Sequence, residues 1–333
     1  MTVPPPSPSP AGPASSGPGA ASKQDDTLPF PPARRALIAP YLPPSEPAPP
    51  AHARPSPRYP YLTLTYASSL DASIALVPGR PIALSSRDTY AMTHFLRSRH
   101  DALLVGAGTA AADDPRLNSR LRPGGEGEEE EEQEGTVKQP RPVVLDARGR
   151  WRVGPESRVV QAARQGKGLG PWVLVSEPAF AEVEEERVRA VEAVGGRYVR
   201  LPTGKDGRFA WADVLSALAG LGVRSVMVEG GGDVINSLLV PPGSGFVDAV
   251  VITIAPVWLG QGGVVASPPR VAPEPGGGSG GGAGGGGDDE EKGHGSGADS
   301  HNNSSPAPLP QRLSDVSWFP MGEDVVMCGR IPK

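Results

Sequence analysis

The chain predicts an α/β fold: a mainly parallel central sheet with helices on both faces and an antiparallel edge. Three observations lead there. Short β-branched apolar runs alternate with segments of helical period through the middle of the chain. One such run, Val226-Met-Val-Glu-Gly-Gly-Gly-Asp-Val-Ile-Asn-Ser-Leu-Leu239, passes from a strand through three glycines directly into a helical pattern. The tail, residues 313–331, offers two strands around a turn at Gly322, the pattern of an antiparallel pair closing a sheet.

Taken in order, Tyr61-Leu-Thr-Leu-Thr-Tyr-Ala67 alternates in hydropathy and is rich in β-formers, which predicts the first strand. Ser85 or Ser86 is placed to cap a helix over 87–99. Ala102-Leu-Leu-Val105 is a buried strand closed by Gly106-Ala-Gly-Thr109. Pro142–Asp146 and Trp172–Val175 predict the next two strands, followed by a helix over 179–194 with Val188, Val191 and Val194 inward. Arg197–Arg200 is a further strand. Trp211, Val214, Leu215, Leu218 and Leu221 share one helical face, and Gly222 ends that helix. Ser225–Val228 leads into the glycine turn, Val234, Ile235, Leu238 and Leu239 face inward after it, and Val247–Ile254 is a long apolar strand.

Much of the remaining length cannot be core. Gly 44 and Pro 41 are far above ordinary usage, aromatics are only 5%, and the excess is concentrated in three stretches. Residues 1–56 are Pro/Ser/Ala-rich and predict a disordered arm. The remainder, 57–333, reads as one domain with two flexible insertions, an acidic one at 122–140 containing Glu128–Glu132 and a Gly-rich one at 268–310. That leaves about 210–220 residues, enough for one well-buried domain. The net charge of −5 comes largely from the insertions, and no basic stripe suggests nucleic acid. Cys328 is the only cysteine, which excludes an internal disulfide framework and a multi-Cys zinc site. The five histidines have no metal-ligand spacing, and no metal is expected. No apolar run is long enough to span a bilayer. The N-terminus lacks the secretory pattern, so a cytoplasmic enzyme is expected, with an organellar transit segment as the open alternative.

Four loops carry chemistry. Strand, glycine turn and helix start, with Glu229 at the strand's end and Gly230–Gly232 next, offer backbone N–H groups and a positive helix end to a phosphate. The alternative is a tight turn that merely packs a helix near a strand. The turn is neither G-x-G-x-x-G nor a P-loop, which argues against a standard Rossmann fingerprint and an ATPase. The second loop, Gly106 to Arg120, brings glycines, Thr109, Asp113, Asp114 and two arginines after another strand, a composition suited to a phosphate monoester. Its plainer reading is a short helix capped by Thr109 and stopped at Asp-Pro. Ser68-Ser-Leu-Asp71 reads as a turn in which Asp71 bonds backbone. In Asp146-Ala-Arg-Gly-Arg150 the arginines are surface charges by default, or they take an extra phosphate.

Tyr66-Ala-Ser-Ser-Leu-Asp71, Leu96-Arg97, Gly106-x-Gly-Thr109 with Asp113-Asp-Pro-x-Leu-Asn118, Asp146 and Glu229-Gly-Gly together resemble the riboflavin-biosynthesis reductases. These are the fungal and archaeal 2,5-diamino-6-ribosylamino-4(3H)-pyrimidinone 5′-phosphate reductases, related to the C-terminal half of the bacterial bifunctional deaminase/reductase. The resemblance runs from about residue 60 to about 267 and resumes near 311. It implies a dihydrofolate-reductase-like fold, NADPH as hydride donor, a phosphorylated pyrimidine as substrate and a homodimer. It also implies cofactor contacts at Ala67, Thr109, Asp113, Arg150 and Gly230, Gly231, Gly232, Asp233 and Val234. Substrate contacts are implied at Arg97, Leu117, Arg120 and Glu229, with the substrate-facing carboxylate Glu229 the candidate catalytic residue. Bacterial relatives often carry a lysine where this chain has Thr65 and tend to have a glycine where it has Ala72. The zinc deaminase of the bifunctional relatives needs a Cys pair and a His-x-Glu element; neither is present, so deamination is expected on another protein. Two rival readings are another NADPH-dependent reductase of a phosphorylated heterocycle on the same fold, and a non-catalytic nucleotide-binding scaffold whose Pro-rich arm binds partner domains.

Overall fold

The structure, a computed structural model, describes residues 26–44, 59–80, 82–122, 137–267 and 312–333. The first half runs α1 (Pro32–Ile38), β1 (Tyr61–Ser68), β2 (Ser73–Ala75), α2 (Arg87–Arg99), β3 (Ala102–Gly106), α3 (Ala107–Asp113), β4 (Arg141–Leu145), α4 (Arg158–Arg164) and β5 (Trp172–Ser176). The second half runs α5 (Glu177–Ala181), α6 (Glu185–Glu192), β6 (Arg197–Leu201), α7 (Trp211–Gly220), β7 (Ser225–Gly230), α8 (Gly232–Leu238), β8 (Ala249–Ile254), β9 (Val264–Val265), β10 (Ser314–Met321) and β11 (Asp324–Arg330). Glu128–Glu132 and the Gly-rich stretch 268–310 lie outside the described residues.

One sheet has the order β10-β11-β8-β1-β7-β3-β4-β5-β6. The pairs from β8 through β6 are parallel, and β11 lies antiparallel to both β8 and β10. The chain lays down β1, moves two places over to β3, continues outward through β6, and returns to insert β7 between β1 and β3. The C-terminal ends of β1, β7 and β3 therefore stand side by side, which is where open α/β sheets place ligands. Alternating residues of each strand feed two cores. Leu103, Val105, Met227 and Val251 pack with Met92 and Leu96 of α2, Val160 of α4 and Val191 of α6 on one face. Leu62, Leu64, Val226, Val228 and Val250 pack with Leu215 and Leu218 of α7 and Ile235 and Leu238 of α8 on the other. Helices on both faces were the expectation. Among the described residues no helix is long and apolar enough to cross a membrane.

Three expectations need correction. Part of the Pro-rich arm is structured: residues 26–44 carry α1, and Phe30, Ile38, Tyr41 and Leu42 are buried in the first core. Proline at the start of α1 fits a first turn, where its missing N–H costs nothing; four well-spaced apolar side chains then outweigh the composition of their surroundings. The helix expected over 179–194 is two short helices, and Arg187, Ala190 and Val191 are buried where Val188 was expected. Past the break at 182–184, the buried Arg187 guanidinium donates to the carbonyls of Gly149 (2.9 Å) and Trp151. Helix α4 was missed because its apolar stretch is only Val159, Val160 and Ala162, too short for a periodicity to show.

Ala72 is exposed and adopts φ 59°, a left-handed conformation in a tight turn where its N–H bonds the Ser69 carbonyl at 3.1 Å. An L-residue there costs about 1–2 kcal/mol relative to right-handed backbone. Ala72→Gly should raise the unfolding free energy by about 1 kcal/mol, a Tm gain of about 2–4 °C in calorimetry; a variant less stable than the wild type would show the turn to be unstrained.

Candidate functional site

Glu229 is aimed by a defect in the sheet. Leu104 pairs with Val228 but Val105 pairs with Gly230, so on the β3 side two residues of β7 oppose one, and Glu229 is the extra residue. Such bulges re-aim side chains beside functional sites. Arg97, in the last turn of α2, meets it with both ends of its fork: Nε donates to Oε1 and Nη2 to Oε2, each at 2.6 Å. The third guanidinium nitrogen, Nη1, donates to the Asn118 carbonyl at 3.0 Å. The pair is 13% and 14% exposed. Burial alone would lower the Arg97 pKa; the Glu229 charge and hydrogen bonds outweigh it and hold the guanidinium above its ordinary value. A bidentate, largely buried pair of this geometry is strong because its donors and acceptors satisfy one another.

The 114–121 segment is fixed mainly through its backbone. Asp114 at φ 39° ends α3, and its carboxylate accepts from the Arg158 N–H at 3.1 and 3.2 Å, which caps α4. Leu117 is buried at φ 50°. Asn118 donates its side-chain amide to the Lys167 carbonyl at 2.6 Å. Ser119 Oγ donates to the His94 carbonyl at 2.7 Å, and the Arg120 N–H donates to His94 Nδ1 at 2.9 Å. The Arg120 guanidinium stacks on the Tyr90 ring at 5.5 Å, donates to its hydroxyl at 2.5 Å, and pairs with Asp26. Arg116 reaches the other oxygen of the same Asp26 carboxylate at 2.8 Å. Partial desolvation would raise the Asp26 carboxyl; the two arginines outweigh it and hold it below its usual value.

The two glycine loops converge. Gly231 sits at φ 88°, and a Cβ there would stand 3.2 Å from Thr109 Oγ1; a Cβ on Gly106 would stand 3.1 Å from Val234 Cγ2. Thr109 lies inside α3 rather than capping it, since the N-cap is Gly106. A Cβ on Gly232 would meet Val264 Cγ1 at 2.5 Å, because the two-stranded ribbon β2–β9 lies over the start of α8. The glycines thus serve the protein's own packing, as the plain-turn alternative required. They also leave the first-turn N–H groups of α8 without intrahelical acceptors. Asp113, at the end of α3, is half-buried, and that burial holds its carboxyl above the usual range. Ala67 is at the end of β1, next to β7 in the sheet. Asp233 and Arg150 are exposed, and the Arg150 backbone N–H donates to Asp146 Oδ1 at 2.9 Å. Asp71 accepts from the N–H groups of Leu259 and Gly260 and from the Ser69 hydroxyl, a turn-holding role as expected, though across to a second loop.

The chain matches the RibD C-terminal domain family over residues 60–272. It is 39% identical over 243 residues to a 2,5-diamino-6-ribosylamino-4(3H)-pyrimidinone 5′-phosphate reductase of Debaryomyces hansenii, covering 72% of this chain and 89% of the relative. To the protein of the same name from Eremothecium gossypii it is 42% identical over 234 residues, 70% of this chain and 85% of the relative. Among solved structures it is similar to the riboflavin biosynthesis reductase Rib7 of Saccharomyces cerevisiae, with TM-score 0.59, 28% identity, and 90% of this chain and 99% of that chain covered. The fold is thus the dihydrofolate-reductase-like fold that the motifs implied.

Three residues that hold the site were given no role there by the sequence: Asn118 as a carbonyl acceptor, Asp26, and His94, which within the helix over 87–99 reads as packed or solvated rather than a ligand. Asn118 works through its main chain, which no side-chain pattern advertises. Asp26 lies in the arm. Of the two readings His94 proves to be packed, and its role shows only in its acceptor bond to the Arg120 N–H. Burial first, and then the charges of Arg97 and Arg120, push its pKa down to about 2, while burial carries His100 to about 4. In the unfolded chain imidazole titrates near pH 6.5, so below that pH the unfolded state binds protons the folded state refuses. Stability should therefore fall as pH drops from 6 to 5, each histidine contributing up to about 1.4 kcal/mol per pH unit. His94→Gln, whose amide oxygen can accept the same bond, should show a shallower slope in denaturant titrations; identical slopes would mean that His94 protonates in the folded protein.

Proposed function

The chain belongs to the RibD C-terminal domain family, and from that premise we propose that it reduces the ribosyl group of 2,5-diamino-6-(ribosylamino)-4(3H)-pyrimidinone 5′-phosphate to the ribitylamino form, an early step of riboflavin biosynthesis, with NADPH as the reductant. The observation that carries this reading is the Arg97–Glu229 pair and its link to the 117–120 loop, standing one residue before the turn where the two glycine loops meet. Fungal relatives of 39% and 42% identity bear the name of that reductase.

The residues present fit a dinucleotide. Gly230 at φ 149° and Gly231 at φ 88° shape a backbone turn that L side chains rarely follow, and the first-turn N–H groups of α8 after it have no intrahelical acceptors. Gly230, Gly231, Gly232, Asp233 and Val234 with Thr109, Asp113 and Ala67 would hold the cofactor, and Arg150 would take its 2′-phosphate. NADPH, when bound, supplies the hydride. On the substrate side, opening of the ribose ring to an imine makes C1′ electrophilic. Glu229 already accepts two N–H bonds from Arg97, but a carboxylate offers about four lone-pair sites, so it can also accept a ribose hydroxyl. We assign it that orienting task. Arg120 would take the phosphate and Leu117 would line the substrate. Binding energy from the remote phosphate then serves to hold C1′ in attack geometry.

A second copy of the chain is part of the proposal. Val316 and Trp318 on β10 and Val325 on β11 are exposed on one side of the antiparallel edge, Trp318 at 58%. An apolar patch on an edge pair is a favourable dimer surface. Trp318→Glu should convert a dimer in sedimentation analysis to a monomer; an unchanged dimer would place the interface elsewhere.

Purified protein should oxidise NADPH in the presence of the ribosylamino-pyrimidine phosphate. Glu229→Gln should lower turnover by about 10²-fold, the scale of one preorganised polar contact. Arg120→Ala should raise the substrate KM about ten- to a hundredfold, the loss of a charged hydrogen bond, and leave the KM for NADPH near its wild-type value. No turnover of this substrate, or full turnover in Glu229→Gln, would overturn the assignment at the corresponding level.

A further inference from the structure

We propose that Arg116 joins Arg120 in a two-arginine anion site, that Asp26 is the built-in counter-ion of that site, and that the substrate's phosphate must displace Asp26 to bind. The inference rests on the reading of Arg120 as the phosphate anchor and extends it to two further residues.

The geometry is that of a bridged pair. One oxygen of Asp26 takes Arg116 Nη1 at 2.8 Å, and the other takes Arg120 Nη1. Two guanidinium forks therefore converge within the width of one carboxylate. Arg120 is further held by the Tyr90 hydroxyl and ring, so its fork is preset rather than recruited by Asp26. Two cations face one anion, and a positive charge is left over. A phosphate monoester, with its second pKa near ~6, is a dianion at neutral pH and carries three acceptor oxygens. It matches both the charge and the donor count of two forks better than a carboxylate does.

Asp26 is delivered by the structured part of the N-terminal arm but does not anchor it. The Leu28 N–H donates to the Arg120 carbonyl at 2.8 Å, and the Arg122 N–H donates to the Leu28 carbonyl at 2.9 Å. Phe30 is buried against Phe95, ring centroids 5.3 Å apart. Asp26 itself is 59% exposed. Removing its charge leaves the strap in place, and leaving the arginines costs Asp26 only two exposed ion pairs. Its strength as a competitor comes from tethering: an attached carboxylate acts at an effective concentration in the millimolar range. Arm and loop together thus set how much phosphate-bearing ligand is needed to fill the site.

The test compares wild type, Asp26→Asn, Arg116→Ala and Arg120→Ala in two measurements: the KM for the ribosylamino-pyrimidine phosphate and the inhibition constant for inorganic phosphate. Asp26→Asn should lower both by about three- to tenfold, since exposed ion pairs are individually weak. Arg116→Ala should raise both by about tenfold, the loss of a charge-assisted contact. If Arg120→Ala raises both constants while Asp26→Asn leaves them unchanged or raises them, Asp26 merely positions the arginines, and the competition is overturned with the functional reading intact. Wild-type constants in Arg116→Ala confine the site to Arg120 and overturn the two-arginine assignment. If Arg120→Ala itself behaves as wild type, the phosphate does not bind this loop, and both readings fall together.

Discussion

Arg97 and Glu229 come from elements far apart in sequence, the end of α2 and the bulge in β7, and their pairing ties three parts of the molecule to one point. Both carboxylate oxygens and three guanidinium nitrogens are used, the last on the Asn118 carbonyl. Charge in a largely buried position is tolerable only when its hydrogen-bonding capacity is met in this way. The helix orientation, the register of β7 against β3 and the course of the 117–120 loop are therefore mutually dependent. A shift in any one would leave a charge unpaired. The same dependence accommodates two left-handed residues in this loop. Leu117 at φ 50° and Asp114 at φ 39° turn the chain twice within a few residues, and their strain is offset by neighbours whose bonds require that path.

The topology does the rest of the placing. Inserting β7 between β1 and β3 puts the glycine turn after β7 directly beside the glycine loop after β3. The crossovers place α2 on one face and α7 on the other. The Thr109 side chain against Gly231 is the local consequence. Either loop alone could be a packed turn, but their contact builds one continuous rim along the C-terminal edge of the central strands.

Much of this was legible in the sequence because the signals were local and strong. Every strand of the sheet was anticipated to within about two residues, since β-branched apolar runs flanked by glycine or charge have few other readings. The ribbon β2–β9 was not, being three and two residues long. The glycine turn, Thr109 and Glu229 stood out because residue type and spacing carry their chemistry, whereas Arg97 entered only through the family resemblance. What failed did so for tertiary reasons. No spacing rule reveals that Arg187 turns inward to two carbonyls, or that Phe30 and Tyr41 in a proline-rich stretch join the first core. The bulge at Glu229 is also invisible locally, because a bulge is a relation between two strands.

Buried and exposed bonds are separated within the 114–121 loop. Its backbone is fastened from the inside, by His94 on the Arg120 N–H, Ser119 on the His94 carbonyl and Arg97 on the Asn118 carbonyl. These are buried bonds whose loss would cost the fold. Its two guanidinium groups point the other way and meet partners that are largely exposed. Exposed ion pairs contribute little to stability, so changes there alter affinity while leaving the scaffold intact. Asp26, which lies outside the family match, thus meets the loop through exposed side-chain pairs and leaves its buried backbone bonds untouched. The segment that carries Asp26 is itself seated in the first core through Phe30, Ile38, Tyr41 and Leu42, so Asp26 can change without unseating it.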